Sequence, residues 1–267
     1  DYEVAVIDDL SNSKKNSLAK VKKLAKKNFQ FFNVNLTDAS SVITSFEKFV
    51  PDTVIHFAGL KSPFSCKDNT VSFYEQNVGG TIQLLKAMEH INCNRIVFSS
   101  SAIVYGDSRI LPHSEKHTIN PQNSYGHTKA AIENLLYIWA NEKIERSAIA
   151  LRYFNPIGAH PSGLIGEDPV SPPANLVPRI IEVAKGVSNR LEIFGENFST
   201  RDGTGERDYI HVLDLAKAHC NALNFLQKSQ NFDVYNIGLG KGVTVRELIK
   251  IFEKISGKLI PTTIGCE

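Results

Sequence analysis

The sequence has few cysteines, no long apolar run and no excess of charge of one sign. Its four cysteines, at positions 66, 93, 220 and 266, form no C-x-x-C pair and have no histidine companions at metal-ligand spacing, which predicts reduced thiols and no metal site. No apolar run exceeds six residues, far fewer than the roughly 20 that a membrane-spanning helix needs. The 30 basic and 28 acidic residues leave a net charge of +2, too little to favour a nucleic-acid partner. These features predict a cytoplasmic protein that acts on neither membranes nor nucleic acids.

Short apolar runs and amphipathic segments alternate along the chain. With 42% apolar residues among 267, the chain can bury a core large enough for a main domain and a smaller one. Such apolar runs are typical of parallel strands covered on both faces, and they lie at Val4–Ile7, Thr53–Phe57, Ile96–Phe98 and Ala148–Leu151, with a further strand at Phe29–Val34. Helix-period segments lie between them, the longest at Tyr125–Ile144. The alternation predicts an α/β fold with a doubly wound parallel sheet of the Rossmann type.

The character of the sequence changes after Arg152. Prolines and glycines become frequent, and shorter helical patterns follow at Leu176–Ala184, Val212–Gln227 and Val245–Ile255. We therefore expect residues 1–155 to form the Rossmann-type domain and residues 156–267 to form a smaller lobe, with a return of the chain to the first domain around residues 210–225. The lobe is expected to pack across the carboxyl ends of the main strands, where open α/β sheets bind ligands.

A tyrosine and a lysine four positions apart, Tyr125 and Lys129, fall on one face of the predicted long helix. An ammonium beside a phenol stabilises the phenolate, so we expect the pKa of Tyr125 to fall from its usual value of about 10 toward neutrality. The side chain could then serve as a general acid or base. Ser99–Ser101 end an apolar strand, and a hydroxyl there can hydrogen-bond the oxygen whose proton Tyr125 transfers. Since Tyr-x-x-x-Lys pairs also occur on helix surfaces without any role, the strand-end serine is what favours catalysis.

Asp8 closes the first apolar run and begins a polar turn. An acidic residue at the carboxyl end of a Rossmann strand accepts a hydrogen bond from the adenosine ribose of NAD and disfavours the extra phosphate of NADP. The alternative is that Asp8 only caps a turn or a helix. The local sequence leaves both interpretations open.

Several longer motifs carry a resemblance to a known family. They are VIHFAGLK at 54–61, NVGGT at 77–81, FSSSAIVYGD at 98–107, YGHTK at 125–129, LRYFNPIG at 151–158 with AHPSG at 159–163, and GTGERDYIHV at 203–212. Together they resemble the UDP-glucose 4-epimerases, a group of extended short-chain dehydrogenases/reductases, nearly from end to end. LRYFN followed by GAHPSG, and the GTGERDYIHV segment, are specific to this group within the wider superfamily.

The resemblance implies roles for individual residues. It implies a catalytic set of Ser101, Tyr125 and Lys129. The NAD-binding residues that it implies, besides Tyr125 and Lys129, are Asp8, Asn12, Ser13, Asn35, Leu36, Phe57, Ala58, Gly59, Lys61, Asn77, Ser99 and Tyr153. The nucleotide-sugar residues that it implies are Lys61, Ser101, Tyr125, Asn155, Asn175, Leu176, Phe194, Arg207 and Tyr209. Asn35 stands where the family often has an aspartate, so its contact to adenine would carry no charge.

The activity that the resemblance implies is the interconversion of UDP-glucose and UDP-galactose with tightly bound NAD. Tyr125 would take the proton of the hexose 4-hydroxyl while carbon 4 gives a hydride to NAD. The resulting 4-keto sugar would rotate about its bond to the diphosphate and recover the hydride on its other face. Arg207 suits the diphosphate because a guanidinium grips phosphate bidentately; a salt bridge to Asp202 or Asp208 is its alternative role. A homodimer is also implied, through the helices expected at Ser72–Asn92 and Tyr125–Ile144.

Three other functions stay open at this point. A 4,6-dehydratase of the same family needs an acid and a base beside the serine, but Ala102 and Ile103 stand where that class has Asp-Glu. Epimerases of other nucleotide sugars, such as UDP-glucuronate or UDP-N-acetylhexosamines, are not separated by these motifs. An inactive dinucleotide-binding scaffold would have lost Tyr125 or Lys129, and both are present.

The family pattern extends past this sequence at both ends. It opens with a strand and a glycine-rich turn before the first run found here, and it closes with an arginine-rich segment after Thr263. In the strand order 3-2-1-4-5-6 that first strand is central, so Val4–Ile7 and Thr53–Phe57 would lack their shared neighbour. We therefore expect these 267 residues, expressed alone, to be insoluble or inactive, and the activity to belong to a longer chain.

Overall fold

The computed structural model describes residues 2–61, 69–107, 111–168, 170, 173–226 and 231–265. The strands are β1 Ala5–Ile7, β2 Gln30–Phe32, β3 Val54–His56, β4 Arg95–Ser101, β5 Ser147–Tyr153, β6 Asn155–Ile157, β7 Leu191–Phe194, β8 Glu206–His211, β9 Asn231–Ile237, β10 Gly242–Thr244 and β11 Thr262–Gly265. The α-helices are α1 Asn16–Ala25, α2 Ala39–Phe49, α3 Thr70–Phe73, α4 Gly80–His90, α5 Ser124–Asn141, α6 Leu176–Ala184, α7 Val212–Leu226 and α8 Val245–Ser256.

Four parallel strands form the main sheet in the order β3-β4-β5-β9. β4 and β5 pair from Arg95 opposite Ser147 to Ser101 opposite Tyr153, so both strands end at the same edge of the sheet. β1 and β2 form a separate parallel pair. The predicted α/β fold with a Rossmann-type parallel sheet is confirmed. Within the described ranges β1 and β3 belong to different sheets.

Helices cover both faces of the main sheet. On one face α2, α4 and α5 pack against β4 and β5 through a cluster in which Met88 and Ile132 are fully buried. On the other face α7 packs Ala222 against Ile149 and Leu151 of β5. Because the strands bury side chains on both faces, their sequences are continuous apolar runs and do not alternate with polar residues.

A separate apolar cluster lies in the C-terminal part of the chain. Ile180 of α6, Ile193 of β7 and Ile249 of α8 are buried in it. β7 pairs in parallel with β11, and β8 pairs with both β6 and β10. α8 begins at a capping box, in which Thr244 and Glu247 each accept from the other's backbone N–H. The division of the chain between residues 155 and 156 stays a prediction.

Two helices differ from the sequence-based expectation by more than one residue. The long helix begins at Ser124, because the side chain of Asn123 accepts from the backbone N–H of Gly126 at 2.8 Å and caps it. The helix expected at Ser72–Asn92 is three segments, since the chain adopts π-helical geometry over Tyr74–Gly79 between α3 and α4.

Two of the four cysteines lie within the described residues, and both are free thiols. Cys93 is buried and Cys220 is exposed, and burial raises the pKa of Cys93 to about 11. Cys66 and Cys266 lie outside the described residues.

Across the part of the chain that the structure describes, none of the helices is both long and apolar enough to cross a membrane.

A buried ion pair fixes α5 on the sheet. Arg152 of β5 and Glu133 of α5 are each 4% exposed, and Arg152 Nη2 donates to Glu133 Oε2 at 2.6 Å. Arg152 Nε donates to the same carboxylate at 3.0 Å, and the hydroxyl of Ser100 on β4 donates to it as well. Arg152 Nη1 donates to the Tyr105 hydroxyl at 3.0 Å. A buried charge without its partner destabilises the folded protein, so the removal of either Glu133 or Arg152 would lower the free energy of unfolding.

We expect the substitution Glu133→Gln to lower the free energy of unfolding by about 3–5 kcal/mol, because Arg152 would stay buried without a carboxylate. Urea unfolding followed by circular dichroism measures the change. The matched control is Asp168→Asn, which breaks the exposed ion pair with Lys14 and should cost less than about 1 kcal/mol. Similar small losses in the two variants would contradict the anchoring role of the buried pair.

Candidate active site

Three hydroxyls meet at the carboxyl edge of β4 and β5. Ser101 and Tyr153 are the last residues of their strands and lie opposite each other in register, so their side chains point to the same face. Tyr125 lies in the first turn of α5, close enough for Ser101 and Tyr153 to influence the pKa of its phenol. Ser101 Oγ also accepts from the backbone N–H of Ile103 at 3.3 Å. The three hydroxyls can therefore act on one substrate oxygen.

Lys129 lies one helical turn after Tyr125 and is only 4% exposed. Its Nζ donates to the backbone carbonyl of Ser99 at 2.8 Å. The same atom lies 4.7 Å from the centroid of the Phe98 ring and 5.6 Å from that of the Tyr125 ring. Burial lowers the pKa of Lys129 to about 8, and the carboxylate of Glu133 opposes this shift. The amine is thus held between β4 and the Tyr125 ring.

The pKa of Tyr125 shifts in the direction opposite to the one expected from the sequence. Burial of the phenol raises this pKa above its usual value, the facing phenol of Tyr153 raises it further, and the hydrogen bond with Ser101 opposes the rise. The expectation that Lys129 lowers this pKa is therefore wrong for the chain by itself, since burial of the phenol raises it. A phenolate at this position needs a further cationic group beside it.

Asn77 holds the loop that follows β3 against α5. Its Oδ1 accepts from the backbone N–H of Leu60 at 2.7 Å, and its Nδ2 donates to the carbonyl of Leu60 at 3.1 Å and to Thr128 Oγ1 at 3.0 Å. Gly59 is required in this loop because its φ is +149° and a Cβ there would lie 2.9 Å from Asn77 Oδ1. Ala58 is exposed, and Phe57 is 61% exposed. A fixed loop therefore presents an exposed ring at the carboxyl end of β3.

The predicted adenosine-binding residues lie at the ends of β1 and β2. Asp8 Oδ1 accepts from Ser13 Oγ at 2.9 Å, so the turn-capping role considered for Asp8 is present. Asn35 Oδ1 accepts from the backbone N–H and the hydroxyl of Thr37, and its Nδ2 donates to Asp9 at 2.9 Å. The other residues predicted here are the exposed Asn12 and the half-buried Leu36. These hydrogen bonds tie the ends of the two strands together.

Three of the predicted nucleotide-sugar residues come together on β6 and β8. Asn155, two positions after Tyr153, pairs with Tyr209 in parallel register. Arg207 lies two residues before Tyr209, hence on the same face of β8, and its exposed guanidinium donates to the carbonyl of the preceding residue at 2.7 Å. Asp208 accepts instead from the backbone N–H groups of residues 239 and 240. This arrangement gives no support to a salt bridge between Arg207 and Asp208.

The other predicted nucleotide-sugar residues form a second group in the C-terminal cluster. Asn175 precedes α6 and donates to Glu167 Oε1 at 2.5 Å. Leu176, the first residue of α6, packs against the apolar cluster. Phe194 ends β7, and the guanidinium of Arg179 lies 5.3 Å from the centroid of its ring. The remaining residue, Lys61, is exposed at the end of a described segment, next to residues 62–68, which lie outside the description.

One residue close to this site, His219 of α7, was missed by the sequence analysis. Its Nε2 lies 2.8 Å from Ser99 Oγ in the core. The signal that could have found it is spacing, because Leu215, His219 and Ala222 are buried at intervals of about one turn along α7. A polar side chain on such an apolar stripe must find its hydrogen-bond partner inside the core.

Comparison with known proteins gives close relatives. The UDP-glucose 4-epimerase of Bacillus subtilis (strain 168) is 44% identical over 260 residues, which cover 97% of this chain and 77% of that protein. The UDP-glucose 4-epimerase 2 of Oryza sativa subsp. japonica is 43% identical over 269 residues, which cover 99% of this chain and 66% of that protein. The resemblance found in the motifs is confirmed.

Comparisons with solved structures and with a family model point to the same family as these relatives. The UDP-glucose 4-epimerase of Stenotrophomonas maltophila, with bound NAD and formylated UDP-arabinopyranose, has a TM-score of 0.95 and 37% identity over 99% of this chain and 79% of that one. The enzyme of Bifidobacterium longum, in complex with NAD+ and UDP, has a TM-score of 0.95 and 38% identity over 100% of this chain and 79% of that one. Residues 1–238 match the model of the NAD dependent epimerase/dehydratase family. The chain belongs to the NAD dependent epimerase/dehydratase family.

Proposed function

We propose that the protein interconverts UDP-glucose and UDP-galactose by reversible oxidation of hexose carbon 4, with NAD as a tightly bound cofactor. The observation that carries the proposal is the meeting of Ser101, Tyr125 and Lys129 at the carboxyl edge of β4. The relatives named above are UDP-glucose 4-epimerases, and both solved structures hold NAD. The near-balanced charge and the free thiols support a cytoplasmic location without nucleic-acid or membrane partners.

The groups at this edge fit NAD. Lys129 has three N–H donors, and its bond to the carbonyl of Ser99 uses one of them, so donors are left for ribose hydroxyls. The loop clamped by Asn77 offers the exposed ring of Phe57 as an apolar contact. Asp8 has a second carboxylate oxygen besides the one bonded to Ser13, which can accept from a ribose. When bound, NAD supplies a hydride acceptor and a cationic ring.

Each residue of the proposed catalytic set has a distinct task. Tyr125 takes the proton of the 4-hydroxyl, and Ser101 donates a hydrogen bond to the same oxygen. Lys129 stabilises the phenolate by its charge. As the proton leaves the oxygen, the electron pair of the C4–H bond leaves with its hydrogen as hydride, and carbon 4 becomes a ketone. Return of the hydride to the other face and of the proton from Tyr125 gives the epimer, so there is no net oxidation.

The keto sugar must rotate to present its other face, so the protein must bind the diphosphate firmly while the hexose moves. Arg207 is suited to this hold, because its side chain is exposed and a guanidinium can grip phosphate oxygens bidentately. Asn155 and Tyr209 lie in register beside it and can bond the remaining polar groups. Anchoring at the diphosphate leaves the hexose free to rotate.

The assay that tests this function mixes the purified protein with UDP-galactose and no added cofactor. Formation of UDP-glucose without accumulation of NADH supports the proposal. A requirement for stoichiometric added NAD, with NADH accumulating, would mean a dehydrogenase instead.

We expect Tyr125→Phe to lower kcat by about 10²–10⁴-fold, because the proton transfer loses its acid and base. The fold should persist, as circular dichroism can show, since only one hydroxyl is removed. The matched control is Tyr137→Phe on the same helix, where the side chain is 55% exposed and turnover should stay unchanged. Turnover near the normal rate in Tyr125→Phe would remove this residue from the proposed role.

We also propose a homodimer that forms through α4 and α5. A shallow groove between these helices is lined by Ile82, Leu85, Leu135 and Ile138. Ile138 is 50% exposed, although it lies on the long central helix. Two copies related by a two-fold axis would bury the same two helices of each chain in a four-helix contact, which is the self-complementary geometry of a closed dimer.

We expect Ile138→Glu to convert the dimer to a monomer, because a carboxylate would be buried in an apolar contact. Light scattering coupled to size exclusion measures the mass. Val187→Glu, at an exposed apolar position outside α4 and α5, serves as the control and should remain dimeric. A monomeric parent protein, or a dimer that survives Ile138→Glu, would contradict this interface.

A further inference from the structure

The segments that follow β1 and β2 leave the sheet at the same edge. Ile7 pairs with Phe32 in parallel register, and these are the last residues of their strands. Asp8 comes directly after Ile7 and carries the carboxylate oxygen proposed above for the adenosine ribose. The adenine base is bonded to that same ribose, so it lies within reach of polar side chains beside Asp8. Two such side chains, Asp9 and Asn35, are joined by a hydrogen bond of 2.9 Å.

The orientation of the Asn35 amide follows from its partners. The backbone N–H of Thr37 can only donate, so the amide atom that it bonds at 2.9 Å is the oxygen Oδ1. The carboxylate of Asp9 can only accept, so the amide atom that bonds to its Oδ2 is the nitrogen Nδ2. Both ends of the amide are therefore assigned by groups that allow one direction of hydrogen bond.

These bonds use all the accepting capacity of Asn35. Its Oδ1 has two lone pairs, and it receives both the backbone N–H of Thr37 at 2.9 Å and the Thr37 hydroxyl at 2.8 Å. Its Nδ2 has two N–H groups, and one of them is given to Asp9. Asn35 can thus donate one more hydrogen bond and accept none. An adenine amino group, which donates, has no acceptor on this side chain.

Asp9 keeps the accepting capacity that Asn35 lacks. Its side chain is exposed, its Oδ1 accepts from the backbone N–H of Ser11 at 2.9 Å, and its Oδ2 accepts from Asn35. Each oxygen of a carboxylate can accept more than one hydrogen bond, so Asp9 can take further donors. The remaining N–H of Asn35 and the Oδ2 of Asp9 lie next to each other. Together they form a pair of one donor and one acceptor.

We propose that Asp9 and Asn35 together recognise the adenine base of NAD. Asp9 accepts from the exocyclic amine, and the remaining N–H of Asn35 donates to the ring nitrogen beside that amine. An amine next to an acceptor nitrogen is the pattern that distinguishes adenine in its recognition by polar side chains. The negative charge at this position therefore comes from Asp9. The role deepens the proposed function, on which it rests, because it concerns the same cofactor.

Hypoxanthine is the base that tests this assignment. It carries a carbonyl oxygen where adenine carries its amine, so in the same position two acceptors, this oxygen and the carboxylate of Asp9, would face each other. The purified protein is incubated with equal amounts of NAD and nicotinamide hypoxanthine dinucleotide until the bound ratio is constant. Gel filtration removes the free dinucleotides, and mass spectrometry of the denatured protein measures what was bound.

We expect the parent protein to retain NAD over the hypoxanthine analogue by about tenfold, since a hydrogen bond to a charged group is replaced by an opposed pair of acceptors. In Asp9→Asn the ratio should fall close to one. The amide of this variant carries no charge, and its N–H can donate to the hypoxanthine oxygen. The change is confined to an exposed side chain, so the variant should fold, as circular dichroism can show.

A second pair of variants tests the bond between the two side chains. Asn35→Asp places two carboxylates against each other, so the retained NAD should fall by about tenfold. Adding Asp9→Asn restores an amide–carboxylate pair and should recover most of the lost binding, although two residues are now changed. A purely structural loss would be larger in the double variant than in Asn35→Asp.

The matched control is Asp38→Asn. Asp38 is an exposed carboxylate three positions after Asn35 that accepts from Ser40 and Ser41 at the start of α2. The substitution removes the same charge, and an asparagine also caps a helix. This variant should keep the preference of the parent protein for NAD.

The outcomes separate this proposal from the proposed function. An equal preference for NAD in the parent protein and in Asp9→Asn would overturn it, as would an equal loss of preference in Asp38→Asn or a double variant that binds no better than Asn35→Asp. If Asn35→Asp fails to fold, Asp9→Asn decides alone. Retention of neither dinucleotide by the parent protein would refute both this role and the use of NAD. The measurement needs no UDP-sugar, so it decides the adenine contact even if UDP-galactose is not converted.

Discussion

The buried Glu133–Arg152 ion pair is the constraint on which the site depends. Glu133 lies one helical turn after Lys129, and Arg152 directly precedes Tyr153, so the pair fixes α5 and β5 relative to each other next to the reacting groups. Displacements of about 1 Å at such a site can cost two orders of magnitude in rate. The ion pair thus holds the proposed base on α5 and the hydroxyls at the ends of β4 and β5 in one geometry.

The sequence predicted the sheet and the proposed base for reasons that can be named. Strands buried on both faces must be apolar throughout, and residues four apart on a helix must share a face, so β4 and the Tyr125–Lys129 pair could be recognised. The partners of these residues could not, because they depend on elements that meet only in the fold. The carbonyl of Ser99 takes the amine of Lys129, and α7 brings His219 to Ser99 from 120 positions further along the chain.

Burial acts on the two central titratable groups in opposite senses. It raises the pKa of Tyr125 and lowers that of Lys129 to about 8, so in both cases it favours the neutral form. The sequence showed the neighbouring charge but not the loss of solvent, which is why the expected direction for Tyr125 was wrong. The proposed reaction needs the phenolate, so its formation must be coupled to the arrival of positive charge and of polar substrate groups in the cleft.

The central claim is that one hydrogen leaves carbon 4 as hydride and returns to the same carbon. It is tested most directly with UDP-galactose that carries deuterium at carbon 4, turned over by the protein in ordinary water. The account predicts UDP-glucose with the deuterium retained at carbon 4, as proton NMR and mass spectrometry can show. Replacement of the deuterium by solvent hydrogen would mean that the hydrogen leaves as a proton, and would contradict the mechanism.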